Sequence, residues 1–387
     1  MTEMVYGAHA PQEKDSGLSA WWQSVDRLSI AAVVALFLIG MLLALAASPP
    51  LAIDQGKPRF FYVERQAVFG VLGLGVMVFV STFSVKTARR MAVRGFFIVL
   101  LGLALLPWQG TDYGKGAIRW YSFGLGSIQP SEFIKPLFAV TAAWLLAAST
   151  DIAGPPGRVI SFVFMVAIIG MLVQQPDYGQ ASLVLACWGT IFFVGGAPKK
   201  LIITLGALVV GGGLLAYNTV PHVAKRIDGF LLADVNPLTQ IGYATAAIQD
   251  GGLFGVGIGR GSVKWTLPDA HTDFIIAVAA EEFGLIFTLV IIALFMFLTM
   301  RALLRLRRER DMFIRLSGVG LATVLGAQSL INLGVAVRLL PAKGMTLPFV
   351  SYGGSSLLAA GIMMGLLLVM TRKRVQGDMT DLLGGRI

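Results

Sequence analysis

The sequence predicts an all-α polytopic membrane protein of about ten transmembrane helices with two large loops on one face. Three observations carry that prediction. Of the 387 residues, 56% are hydrophobic and only 13% charged, where a soluble domain carries roughly 25% charged residues. Apolar runs recur along the chain, and one of them, Phe283 to Met300, stays uncharged for long enough to cross a ~30 Å hydrocarbon core. Lysine and arginine collect in alternate loops, as the positive-inside rule expects of a chain that threads back and forth.

Taken in order, residues 1–27 are polar and expected to form a disordered tail. The first apolar run, Leu28 to Ala47, ends in Ala44-Leu45-Ala46, which resembles a signal-peptidase site. Its length and the nearness of the next run favour an uncleaved first helix. Further spans centre in 65–83, 91–108, 131–148, 158–174, 180–197, 201–219, 274–300, 313–337 and 354–371, which places both termini on one side. The loop after the second span holds Lys86, Arg89, Arg90 and Arg94, and the loop after the sixth holds Lys199 and Lys200. Arg301 opens RALLRLRRERD after the eighth span, and the tail begins TRKR at Thr371. All four clusters fall on one face, which the rule makes cytoplasmic. A membrane domain over 28–372 is therefore expected between cytoplasmic tails of residues 1–27 and 373–387.

The opposite face carries the loops Gln109–Pro130 and Val220–Thr272, the second rich in glycine and apolar residues and expected to lie on or dip into the membrane. Both hold cations the topology rule does not ask for: Lys115, Arg119, Lys225, Arg226, Arg260 and Lys264, joined by Arg338 and Lys343 from the loop before the last span. Such a ring suits an anionic ligand such as a pyrophosphate. The net charge of +10 reads as loop bias with anionic lipid as natural partner, so no nucleic acid is expected. A single cysteine, Cys187, excludes an intrachain disulfide, and the scattered His9, His222 and His271 make no zinc site. Gly255 to Gly261 fails the GxGxxG pattern and no Walker sequence exists, so these glycines supply tight turns and ATP is not the energy source.

Three stretches carry the chemistry. In Leu267–Glu282 a polar segment with Asp269, His271 and Asp273 runs into an apolar helix bearing Glu281 and Glu282. An aspartate at the mouth of a membrane helix has a tunable proton affinity, although Asp273 could equally cap that helix. Glu281 and Glu282 are expected to pair structurally. Gln129-Pro130-Ser131-Glu132-Phe133-Ile134-Lys135 opens the fourth span, and Glu132 and Lys135 share a helix face. Charges kept inside a membrane at roughly 2.5–3.5 kcal/mol each point to function or to an ion pair joining helices. Pro341 to Ser356 breaks the helical pattern and reads as the wall or gate of a cavity.

These stretches together resemble the SEDS family (shape, elongation, division, sporulation) of membrane glycosyltransferases that polymerise peptidoglycan. The matching residues are Gly116-Ala117-Ile118-Arg119-Trp120, QPSEFIK from Gln129, QPDYG from Gln175, PDAHTDF from Pro268, and LPAKGMTLPFVSYGGSS from Leu340. The Pro-Ala-Lys-Gly form before TLPF looks like the division branch, while Tyr178 and Arg338 depart from the family pattern. The resemblance implies ten transmembrane helices, large periplasmic loops and a catalytic aspartate, which falls on Asp273. It implies substrate contacts at Arg119, Glu132 and Lys135, to which Gln129, His271, Lys343 and Ser351 are added from the same motifs. The expected substrate is lipid II, with undecaprenyl pyrophosphate released and Asp273 acting as general base. No cofactor is firmly implied; a divalent cation, Mg2+ or Mn2+, could share the pyrophosphate. The expected partners are a class B penicillin-binding protein and other division proteins, in the inner membrane at the division septum. A lipid II flippase or a non-catalytic division scaffold would use the same residues without forming a bond.

Overall fold

The computed structural model describes residues 17–374 apart from 113–116, 125, 152, 220, 222–223, 225–227, 229–238, 268, 338 and 341–343. The described helices are α1 (Gly17–Ser24), α2 (Arg27–Asp54), α3 (Phe61–Ser81), α4 (Val85–Gln109), α5 (Pro130–Ala148) and α6 (Gly157–Gln174). They continue with α7 (Tyr178–Val194), α8 (Lys199–Thr219), α9 (Gln240–Gly251), α10 (Ile275–Leu306), α11 (Met312–Ala336) and α12 (Gly354–Met370). Seven of them are long and apolar enough to cross a membrane, and three shorter apolar helices, within α7, α8 and α12, bring the set to the ten expected spans.

Helix starts follow local chemistry. Ser84, Asp177 and Asp311 each accept a hydrogen bond from a backbone amide three residues on, and Pro130 opens α5, where its missing N–H costs nothing. Helices α5 and α11 are buried along most of their length and form the centre, whereas α4, α6 and α8 expose Ile98, Val163 and Ile203 among other large apolar side chains. Backbones approach closely where glycine allows it. A Cβ on Gly361 of α12 would stand 2.2 Å from the Gly73 carbonyl of α3, and one on Gly40 of α2 would stand 2.7 Å from the Phe349 carbonyl. Small residues at such crossings let membrane helices pack without a hydrophobic driving force.

The basic end of the bundle is clasped. Arg301 Nε and Arg305 Nη2 of α10 lie 2.6 and 3.1 Å from the carboxylate of Asp26, and Arg305 Nη1 donates to the Thr371 carbonyl at 3.0 Å. Burial would raise the Asp26 proton affinity, but hydrogen bonds from Arg301 and Ser29 outweigh it and hold the carboxyl below its ordinary range. Residues 17–27 depart from the expected disordered tail. Trp21 of α1 donates to Ser81 Oγ at 3.1 Å, and the Ser24 carbonyl accepts from the Lys373 amide at 3.0 Å. Indole and backbone partners from α3 and the far end of the chain order a segment whose composition alone is polar.

The eighth span is not one continuous helix. Gly284 (φ 82°, ψ −179°) interrupts α10, and the glycine-rich loop after α9 docks into the gap. Val256 and Gly257 amides donate to the Glu281 and Glu282 carbonyls at 2.9 and 3.2 Å, while Leu285 and Ile286 amides donate to the Gly252 and Leu253 carbonyls at 3.0 and 3.3 Å. A broken helix at membrane depth needs such surrogate partners. The loop also claims both carboxylates, as expected for structural pairing. Ser262 N donates to Glu281 Oε1 at 2.7 Å and Gly259 N to Glu282 Oε2 at 2.9 Å.

Candidate active site

At the end of the bundle opposite the arginine clasp, a cleft of about 380 Å³ opens among three segments that the sequence had singled out and a fourth, α3, that it had not. The start of α10 brings Asp269, Thr272 and Asp273; the loop before α5 brings Arg119, Trp120, Gln129 and, one turn on, Glu132. The segment before α12 brings Gly344, Thr346, Tyr352 and Gly353, and α3 adds Arg65 and Phe69.

Each wall is held by bonds between distant segments. Asn332 of α11 donates through Nδ2 to the Asp273 carbonyl at 3.1 Å and to the Met345 carbonyl at 2.5 Å, tying the aspartate's turn to the loop opposite. Gly344, at φ 59°, passes so close that a Cβ there would lie 3.5 Å from Asp273 Oδ2. Gln66 of α3 donates to the Gly40 and Val350 carbonyls at 3.2 and 3.0 Å. The loop between α4 and α5 folds as a small antiparallel hairpin, β1 (Tyr121–Ser122) and β2 (Ser127–Ile128), with Tyr121 opposite Ile128. Tyr121 anchors it by donating to the Gly102 carbonyl at 2.7 Å.

Asp273 is half-buried and precedes the helix cap, which is Phe274 and carries no side-chain cap bond. Asp273 lines the cleft. Arg119 donates through Nε and Nη2 to the Gln175 and Pro176 carbonyls at 2.8 and 2.9 Å. These bonds fix the guanidinium while using two of its five donors. Gln129 reaches Asp177 Oδ2 at 3.4 Å. Burial raises the Asp177 proton affinity, against the opposing charge of Arg119.

Beneath the cleft floor lies a buried polar chain. Lys135 Nζ is 2.9 Å from both Glu132 Oε2 and Gln328 Oε1, Gln180 Nε2 donates to Glu132 Oε1 at 2.6 Å, and Gln328 donates to the Thr346 carbonyl at 2.9 Å. Both Glu132 oxygens thus have partners, and the pair is an electrostatically neutral tie between α5, α7 and α11. Lys135 is one layer below the open surface and does not line the cleft.

Besides Lys135, expected as a substrate contact, three expected placements change. Ser351 is buried; its Oγ donates to the Thr272 carbonyl at 2.6 Å and accepts from the Leu347 amide at 2.9 Å, so the hydroxyl staples two walls instead of facing the cleft. His271 lies on the far side of the Asp269–Asp273 turn, its ring 5.4 Å from those of Tyr62 and Tyr352. Lys264 leaves the expected ring of cations for an ion pair with Glu282 at 2.5 Å. Lys115, Lys225, Arg226, Arg338 and the predicted substrate residue Lys343 fall outside the described residues. Arg65 is the cation that sequence reading passed over. It hydrogen-bonds Tyr352, whose proton affinity is raised by burial and only partly lowered by that arginine. A charge at the outer end of an apolar run was the available signal. Among the described residues no cluster of three metal-ligating side chains occurs.

Comparison with known proteins bears on the family and the fold. The family model FTSW_RODA_SPOVE, described as cell cycle protein, matches residues 26–376. The chain is 40% identical over 363 residues to a probable peptidoglycan glycosyltransferase FtsW of Caulobacter vibrioides, covering 93% of this chain and 92% of that one. It is 35% identical over 359 residues to the protein of the same description from Trichlorobacter lovleyi, covering 89% and 92%. Among solved structures, a chain of a peptidoglycan synthase complex that coordinates polymerization and crosslinking superposes with a TM-score of 0.76 at 28% identity, covering 92% of this chain and all of that one. The rod shape determining protein RodA of Thermus thermophilus gives 0.68 at 28% identity, covering 92% and 99%. With a model match spanning nearly its whole length, relatives this similar and the same fold, the chain belongs to the FtsW, RodA and SpoVE family of cell cycle proteins.

Proposed function

We propose that the chain is a peptidoglycan glycosyltransferase that polymerises lipid II, with Asp273 as general base and the 380 Å³ cleft as its reaction site. The observation that carries the proposal is a half-buried carboxylate that lines an open cleft together with two arginines, Arg65 and Arg119, at the end of the bundle away from the arginine clasp. Lipid II must keep its prenyl tail in the bilayer and its sugars in water, so a site at the rim of a helix bundle fits both halves. Asp273 takes the proton from the acceptor GlcNAc 4-hydroxyl as that oxygen attacks C1 of the donor MurNAc. The C1–O bond to the pyrophosphate breaks with inversion, and undecaprenyl pyrophosphate departs with the bonding pair. Arg119 and Arg65 stabilise the charge that grows on it. The Glu132–Lys135–Gln328 chain holds the floor in place. A Mg2+ or Mn2+ ion, if one is used, would be held by Asp273 and Asp269, since such ions use one or two carboxylates plus substrate phosphates, and it would offset the negative charge of the diphosphate.

The same reading places the basic end in the cytoplasm with both termini, the cleft at the periplasmic surface, and the protein in the inner membrane at the division septum. Its partners are then a class B penicillin-binding protein, which crosslinks the strands, and other division proteins. The test is polymerisation of lipid II in detergent by purified protein with its partner, where no membrane sidedness exists. Wild type should yield glycan strands and Asp273→Asn should not, at unchanged melting temperature. A flippase or scaffold would yield no strands from either.

A further inference from the structure

A second cleft, of about 430 Å³, lies between the last turns of α2, with Ala47, Pro50 and Asp54, and the segment 264–271. Asp269 lines both this cleft and the one holding Asp273, so a single turn, with Asp269 at φ 61°, forms the partition between them. We infer that this second cleft is a saccharide subsite that holds GlcNAc–MurNAc units next to the reacting pair. The inference rests on the polymerase reading above and names where its sugars run.

The lining selects the ligand. Trp265 lines this cleft and is 62% exposed, on a short 3₁₀ turn fixed by the neighbouring Lys264. That lysine is buried and already paired with Glu282, so its charge is neutralised, and among the described lining residues no other lysine or arginine occurs. Two carboxylates, Asp54 and Asp269, remain. A diphosphate would be repelled by them, and a prenyl tail would have to desolvate them. Sugars suit the set: their hydroxyls donate to carboxylates, which only accept, and their C–H faces pack on an indole with a polar edge. The volume and the mix of apolar wall with a few polar groups match pockets for small ligands, roughly 300–1,000 Å³.

The test compares wild type, Trp265→Ala and Asp54→Asn, each with its partner protein, for lipid II consumption and strand length. Neither residue touches the Asp273 cleft. A several-fold fall in strand length at an unchanged initial rate identifies the occupant as the growing strand. A several-fold rise in the KM for lipid II at unchanged length identifies it as the incoming disaccharide. Variants equal to wild type in both measures overturn the inference. Wild type that makes no strands overturns the polymerase reading instead. The subsite is then judged by saturation-transfer NMR of the intact protein with a soluble GlcNAc–MurNAc tetrasaccharide. Signal lost in Trp265→Ala supports it, and no signal from wild type overturns it. Asp54 is exposed at a helix end, so Asp54→Asn keeps the test valid if the tryptophan variant does not fold.

Discussion

Replacing Gly284 with alanine tests how the site is supported. At φ 82° and ψ −179° the residue occupies a region open essentially to glycine alone, and holding another residue there costs about 1–3 kcal/mol. The added methyl would also sit 2.4 Å from the Leu253 carbonyl oxygen and 2.5 Å from the Gly255 nitrogen, both backbone atoms that cannot rotate away. Relief requires the glycine loop to retreat, which stretches the bonds from Leu285 and Ile286 to the Gly252 and Leu253 carbonyls. At about 0.5–1.5 kcal/mol net for each, losing both adds roughly 1–3 kcal/mol. The total is about 2–6 kcal/mol of destabilisation. Thermal unfolding in detergent reads it directly, beside Gly75→Ala as a control. Nothing lies within 4 Å of a Cβ at Gly75 in α3, and alanine in a helix interior gains about 0.5–1 kcal/mol over glycine. The melting temperature should fall for Gly284→Ala and hold or rise for Gly75→Ala. Polymerisation should fall with it, because the retreating loop carries Lys264 and the partition behind Asp273. Equal melting temperatures for the two variants would refute the claim that this loop stabilises the break.

Three further outcomes are expected. Asp273→Asn should lower polymerisation about 10²–10⁴-fold, the usual contribution of a positioned base, with no change in melting temperature. Lys135→Met strands a buried Glu132 and should cost about 3–5 kcal/mol, whereas the double variant with Glu132→Gln should recover most of that loss; thermal unfolding of both variants measures it. The Asp26 carboxyl is held below its ordinary 3.8 in the folded state. Its contribution to stability is therefore complete above that value and is lost as pH falls through the lower folded value. Melting temperature measured against pH should drop more steeply below about pH 4 for wild type than for Asp26→Asn.

What the sequence discloses is what charge in an apolar background discloses. Glu132, Lys135 and Asp273 stand out because their neighbours are uncharged, and all three lie in or directly beneath the cleft. Arg65 obeys the same rule but begins an apolar run, where it reads as a boundary. Hidden features are those whose cause is remote in sequence. Gly284 resembles any glycine in a membrane span until residues 252–257 are seen filling the gap. The Ser351 hydroxyl reads as a ligand because its acceptor, the Thr272 carbonyl, is 79 residues away. Lys264 counts as a loop cation until Glu282 is found beside it. Spacing along one helix reveals partners three or four residues apart, and nothing comparable reveals a carbonyl on another segment.

The contact between Gly73 and Gly361 has a bearing on genetics. With main-chain atoms where side chains would otherwise be, α3 and α12 have no play in rotation or separation, so the strip of chain leading into α12 inherits its location from α3. A saturation-mutagenesis screen scored on cell growth should therefore mark both positions as intolerant as Asp273. Purified variants would tell them apart: glycine replacements would be recovered in low yield, and the aspartate replacement in full yield but inert.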